Sequence, residues 1–301
     1  METFLTTLTT GILIGGVYAL VAFSWVVIYK CSGVLNLATG EMVLLGAFVG
    51  LTANGVTGNF FVAILAVIAA GVIAGLVTER LVIRPLIGEP LFAVVMITLG
   101  LSFALRGIIF AIWGTPTRVF DPAPFPMKPM MLGFVPVSPV YLGSFGVAIA
   151  MVVALTLFFN KTMMGLAMQA TADDETAALS MGIPAKAVYR FTWILGFIAA
   201  GIGGALLGNI NGVNSVIIVM GLLVLPAVVL GGFTSIPGAI VGGIALGVLQ
   251  TLSSAYIDPL TGGAWWFTGG GTRDVIPFVV MVIILLVKPY GLWGWVKIER
   301  M

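Results

Sequence analysis

The strongest constraint on this chain is a series of long apolar runs, such as FVVMVIILLV at 278–287, that recur with almost no charge inside them. A hydrocarbon core about 30 Å thick is crossed by roughly 20 apolar residues in a helix, which satisfies its own backbone hydrogen bonds on the way. Candidate spans fall at 11–29, 34–52, 60–82, 91–113, 141–160, 191–210, 216–233, 236–256 and 275–290. Such continuous runs contradict a β-barrel, whose strands alternate over about ten residues. The expected fold class is therefore all-α, a polytopic transmembrane helical bundle of about 8–9 membrane segments. The second, seventh and eighth segments are short and glycine-rich, so one or two of them are expected to be re-entrant or broken. Composition agrees: 60% of residues are hydrophobic and 8% charged, where a soluble globule carries about a quarter charged. No Lys or Arg precedes the first run and no small-residue cleavage site follows it, so it is expected to remain as a membrane helix. The whole of 1–301 reads as one transmembrane domain.

The few charges are unevenly placed. With the N-terminus outside, Lys30, Arg80, Arg84, Lys161, Lys186, Arg190, Lys288, Lys297 and Arg300 fall on the cytoplasmic side, and only Arg118, Lys128 and Arg273 fall outside. The excess of basic residues on inner loops supports this orientation and an odd number of crossings. It puts in the cytoplasm the one sizeable polar segment, KTMMGLAMQATADDETAALSMGIPAKAVYR at 161–190. On the outer side, 114–140 is proline-rich, a candidate lid or docking surface, and Trp265, Trp266 and Phe267 read as interfacial anchors. Small residues four apart, among them Gly11 and Gly15, Gly71 and Gly75, Gly204 and Gly208, Gly238 and Gly242, and Gly243 and Gly247, read as helix-packing contacts with no ligand role.

Several kinds of chemistry lack residues. There is no histidine, a single cysteine (Cys31), no GxSxG serine motif and no GxxxxGK[ST] phosphate loop. No catalytic or metal site is expected, nor a cofactor or nucleic acid as partner. Membrane lipid is the expected surroundings. Two charges do lie inside predicted spans, Glu41 and Arg106, and at that depth a charge usually faces a polar interior, a partner or a pathway. Glu41 reads as nearer the cytoplasm and Arg106 nearer the outside, so a direct salt bridge between them is not expected. Two readings stay open for Glu41: satisfaction by Asn36 or by backbone donors at a helix break, and a pathway role. The stretches GVLNLATGE (33–41) and LPAVVLGGFTSIPGAIVGG (225–243) interrupt their spans with Gly, Asn, Thr and Pro, and as broken helices they are candidates to line a central cavity. This marks Asn36, Thr39, Glu41, Gly231 and Gly232 as candidate pathway residues.

Taken together, GILIGGVYALVAFSWVVIY (11–29) with GVLNLATGEMVLLGAF (33–48), ERLVIRPLIGEP (79–90), ITLGLS (97–102), GLAMQATADDETAALSMGI (165–183), VLGGFTSIPGAIVGG (229–243) and LLVKPYGLWG (285–294) resemble, in order and spacing, the LivH-like permease subunits of branched-chain amino acid ABC importers. The resemblance implies a permease of the bacterial inner membrane that forms the solute pathway for branched-chain amino acids or a related small polar or carboxylate solute. It implies pairing with a LivM-like sister or a second copy, two cytoplasmic ATPases carrying ATP-Mg, and a periplasmic substrate-binding protein. The segment matching Gly165, Ala170, Asp173, Asp174, Ala178, Gly182 and Ile183 is implied to couple to the ATPase. Acidic residues at 173–175 suit the start of a short helix, and Gly182 and Pro184 suit its end. This chain has Thr39 where the family often has His, and Gln169 where a basic residue is frequent. The rival reading is an ion-coupled secondary transporter or channel using Glu41; an intramembrane enzyme lacks an identifiable nucleophile.

Overall fold

A computed structural model describes residues 2–86, 89–126, 128–132, 135–260, 271–288 and 291–294. The helices are α1 (Glu2–Ser32), α2 (Thr39–Thr57), α3 (Phe60–Thr78), α4 (Leu91–Trp113), α5 (Pro139–Lys161), α6 (Met163–Asp173), α7 (Glu175–Ser180), α8 (Ala185–Asn211), α9 (Val216–Leu223), α10 (Leu225–Gly231), α11 (Ile236–Leu252) and α12 (Thr272–Val287). A π-helical turn, Glu79–Ile83, extends α3, and another, Ser253–Ile257, extends α11. The only strands among the described residues are a short antiparallel pair, β1 (Met130–Leu132) and β2 (Val135–Val137), in the proline-rich loop.

Among the described residues, seven helices are long and apolar enough to cross a membrane: Thr3–Ser32, Thr39–Thr57, Phe60–Leu86, Phe92–Trp113, Pro139–Lys161, Ala185–Asn211 and Ile236–Ile257. The seventh predicted span is broken, as α9 and α10, at Val224 just ahead of Pro226, where proline has no N–H for the ladder and fixes its own φ. The eighth is continuous despite its glycines, and the ninth is the 16-residue α12. Trp265, Trp266, Phe267, Lys297 and Arg300 lie outside the described residues.

The bundle is built around α1 and α8, which are 94% and 89% buried over their apolar windows, while α3, α4 and α5 are only 22–28% buried and form the rim. Glycines set the close approaches. A Cβ at Gly46 would run into the backbone of Gly201, and one at Gly204 into the carbonyl of Val43, so α2 and α8 touch backbone to backbone. Gly11 and Gly15 of α1 meet Gly243 and Gly247 of α11 in the same way, Gly71 and Gly75 of α3 lie against Ile198 and Ile194 of α8, and Gly242 lies against Ala227. Lipid supplies no hydrophobic drive between helices, so this contact is the packing energy available.

The charge split read from the sequence reappears as two ends of the bundle. Lys30 lies 5.6 Å from the Phe159 ring near the end of α5, and Arg190 at the start of α8 stands 3.9 Å from Glu79. At the opposite end Arg118 pairs its backbone with Val213, at 3.0 and 2.7 Å, and Asn54 donates to the Pro122 carbonyl at 2.8 Å. The proline-rich loop is thereby fastened across the ends of α2 and α8.

Candidate functional site: a capped polar element and a buried ion pair

The polar segment between α5 and α8 is ordered residue by residue through its backbone. Thr162 caps α6, its hydroxyl oxygen accepting from the Gly165 N–H at 3.0 Å while its O–H reaches the Phe158 carbonyl at 2.7 Å. Gly165 is required there, because a Cβ would collide with the carbonyls of Phe158 and Phe159. Asp174 then caps α7 by accepting from the Ala177 N–H at 2.9 Å, which satisfies a donor that the helix itself cannot. At the far end Gly182, with φ +84°, lets its N–H reach Leu179 and the Ile183 N–H reach Ala178, both at 3.0 Å. That doubled bond pattern closes a helix on a left-handed residue.

The placement of the sequence-selected residues follows from these caps. Gly165 and Ala178 are buried, Ala170 and Ile183 are half-buried, and Asp173, Asp174 and Gly182 are exposed. Only Asp174 and Glu175 stand at a helix start; Asp173 is the last residue of α6. The outer surface is apolar as well as acidic: Met163 is 85% exposed and Met181 83%, with Leu166 and Leu179 also open. Gln169, in place of a basic side chain, donates to the Phe159 carbonyl at 2.7 Å and so covers the end of α5.

Two attachments to the bundle were not selected from the sequence. Tyr189, in the first turns of α8, donates its hydroxyl to Glu175 Oε1 at 2.6 Å. Next to it Arg190 faces Glu79, a carboxylate 1% exposed that also takes a forked pair of bonds from Arg84 at 3.0 and 3.2 Å. Buried charges need such pairing. The run EXXXXR from Glu79 to Arg84 was visible in the sequence, but nothing local pointed from Glu175 to Tyr189.

The second locus lies within the membrane-spanning part. The chain leaves α1 unwound over 33–38, where Asn36 Oδ1 accepts from the Ala38 N–H at 3.1 Å and Thr39 Oγ1 donates to the Asn36 carbonyl at 2.9 Å. Thr98 of α4 donates to the Leu35 carbonyl at 3.2 Å and ties this turn to the rim. Glu41 follows in the first turn of α2, where a helix N-terminus favours negative charge. It is 1% exposed, and Arg106 of α4 donates to its Oε1 with Nη2 at 2.6 Å and Nε at 3.2 Å.

This corrects the expectation that Glu41 and Arg106 are too far apart in depth to pair. The unwound 33–38 turn lets α2 begin inside the bundle, and side chains on a helix lean toward its N-terminus, so Arg106 reaches back along α4. Asn36 does not satisfy Glu41; its amide lies 3.0 Å from Met42 Sδ. Asn36, Thr39 and Glu41 therefore share one locus, while Gly231 and Gly232 do not join it. Gly231 packs on Gly238, and Gly232 on Gly294 at the basic end. The break that does meet α2 is the one at α9, where Gly221 lies against Gly40.

α8 connects the two loci. It begins at the Tyr189 and Arg190 attachments, and Gly204 presses on Val43, two residues beyond Glu41.

Residues 7–285 match the model of the branched-chain amino acid transport system / permease component family. Among curated relatives, the high-affinity branched-chain amino acid transport system permease protein LivH of Escherichia coli (strain K12) is 29% identical, covering 99% of this chain and 97% of that protein. The corresponding protein BraD of Pseudomonas aeruginosa is also 29% identical, over 99% and 98%. The probable branched-chain amino acid transport permease protein LivH of Methanocaldococcus jannaschii is 27% identical, over 97% and 93%.

Proposed function

Because this chain belongs to the branched-chain amino acid transport system permease family, a transport subunit of the inner membrane, we propose that it moves solute only when driven by separate ATPase chains that grip it at α6 and α7. The observation that carries this is the build of that element. It is capped at Thr162, Asp174 and Gly182 and tied to α8 through Tyr189, yet it turns Met163, Leu166, Leu179 and Met181 outward with no covering partner among the described residues. A rigid element with an apolar outer face and an acidic edge suits insertion into a cleft of another protein.

In this reading two ATPases carrying ATP-Mg dock from the cytoplasm, and a second permease, LivM-like or another copy, completes the pathway. A periplasmic binding protein delivers a branched-chain amino acid or a related small solute. Glu41 with its neighbours Asn36 and Thr39 stands on the pathway side of α2. The ion-coupled alternative is disfavoured by the 2.6 Å bond from Arg106 to Glu41, since the position a coupling cation would take beside that carboxylate is already filled by the chain's own guanidinium.

The test is to purify the tagged chain from cells co-expressing the ATPases. Leu179→Asp with Met181→Asp places charge on the docking face at side chains that are 51% and 83% exposed. It should abolish both co-purification of the ATPases and solute-stimulated ATP hydrolysis, with thermal stability unchanged. Wild-type stimulation in that variant would remove the docking assignment.

A further inference from the structure

We propose that Arg106, held by Glu41, is a contact point for a small zwitterionic solute on the translocation path, a reading that rests on the permease function above. Arg106 lies about 22 Å along α4 from Leu91, well inside the spanning segment, and its side chain is 38% exposed. A guanidinium turned toward lipid at that depth is costly, so the face it opens onto is a polar lumen completed by a second permease. α4 meets the rest of the chain along one seam, with Val94, Thr98, Ser102 and Ile109 buried, and Arg106 stands at the edge of that seam.

The pair has unused capacity on both members. Nε and Nη2 of Arg106 both go to Glu41 Oε1, whereas Oε2 is buried with no hydrogen-bond partner among the described residues. A guanidinium offers five N–H donors and a carboxylate accepts at both oxygens, so the pair can exchange part of its internal contact for an external one. A single charge would unbalance it. A molecule carrying both a carboxylate, for the free N–H groups of Arg106, and an ammonium, for the Glu41 carboxylate as Arg106 gives up part of its hold on it, leaves the site neutral throughout and moves no net charge into a poorly solvated space.

The experiment uses the assembled complex, chain plus ATPases, in membrane vesicles. Cys31, the single cysteine, is changed to Ala, and Phe103, which is 67% exposed with its ring 5.8 Å from the Arg106 guanidinium, is changed to Cys. The expected result is labelling by a membrane-impermeant sulfonate methanethiosulfonate, slowed about fivefold or more by leucine and much less by isocaproate or isopentylamine, each of which lacks one charge. Glu41→Gln should remove the protection and speed the sulfonate reagent about tenfold relative to its trimethylammonium counterpart. No labelling of Phe103→Cys, while Val119→Cys, at a position 70% exposed in the proline-rich loop away from the ATPase face, is labelled, overturns the contact, as does protection that is absent or equal for all three compounds. In those outcomes the complex still hydrolyses ATP. A chain that holds no ATPase overturns the permease reading and this contact with it.

Discussion

Tyr189 and Glu175 are joined by a 2.6 Å hydrogen bond from a phenol to a carboxylate, and this bond links the exposed α7 to the first turns of α8. Removing the hydroxyl as Tyr189→Phe keeps the ring and deletes the tie. A hydrogen bond to a charged group contributes about 1.5–3 kcal/mol when buried and less at a half-open site. The expected outcome is a small fall in the melting temperature and a large fall in the ratio of solute-stimulated to basal ATP hydrolysis. An unchanged ratio would show that motion enters α8 by another route.

The caps of the same element make a second, purely structural prediction. Asp174→Ala should cost about 1 kcal/mol, and Asp174→Ser should recover most of it because a serine hydroxyl also accepts from the third helical N–H. Denaturation of the purified chain in detergent measures both.

Glu41 and Arg106 form a coupled pair, so their variants should not add. Arg106→Gln leaves a carboxylate that is 1% exposed without its cation, a loss of about 3–5 kcal/mol when a buried pair is broken from one side. Glu41→Gln should cost less, since Arg106 is partly exposed and the amide oxygen still accepts from it. The double variant should be more stable than the sum of the single effects by at least about 1 kcal/mol, measured as a double-mutant cycle on unfolding.

These cases also mark how far the sequence could be read. The spanning helices were legible because length and absence of charge alone decide them, and the polar 161–190 segment stood out for the opposite composition. The paired small residues Gly11 with Gly15 and Gly243 with Gly247 were legible as packing and do meet each other. A broken seventh span was expected from its short, glycine-rich run, but the break falls at Val224 ahead of Pro226 and not at Gly231 and Gly232, and the glycines of α11 suggested an interruption that a tightly packed helix absorbs. The pairing of Glu41 with Arg106 was not legible, because it depends on how deep α2 begins, which the unwound 33–38 turn sets in three dimensions. Nor were Tyr189 to Glu175 and Arg190 to Glu79, contacts between segments whose approach is fixed only by the bundle.

The backbone contact between α2 and α8 gives a fourth prediction. Gly204→Leu forces a side chain into the Val43 carbonyl two residues from Glu41. Overpacking of this kind typically costs about 1–3 kcal/mol. The variant should unfold at lower temperature and, where it still assembles, lose solute stimulation more completely than a lipid-facing change such as Leu65→Ala on α3.

The central claim is that force enters through α6 and α7, and site-directed crosslinking tests it most directly. In a Cys31→Ala chain, Met181→Cys on the exposed end of α7 is combined with a photoreactive thiol reagent in the co-expressed complex. The expected result is a crosslink to an ATPase chain whose yield changes between nucleotide-free and ATP-bound states, with no such product from Leu65→Cys. An intact complex in which Met181→Cys never crosslinks to the ATPase, in either state, would contradict it.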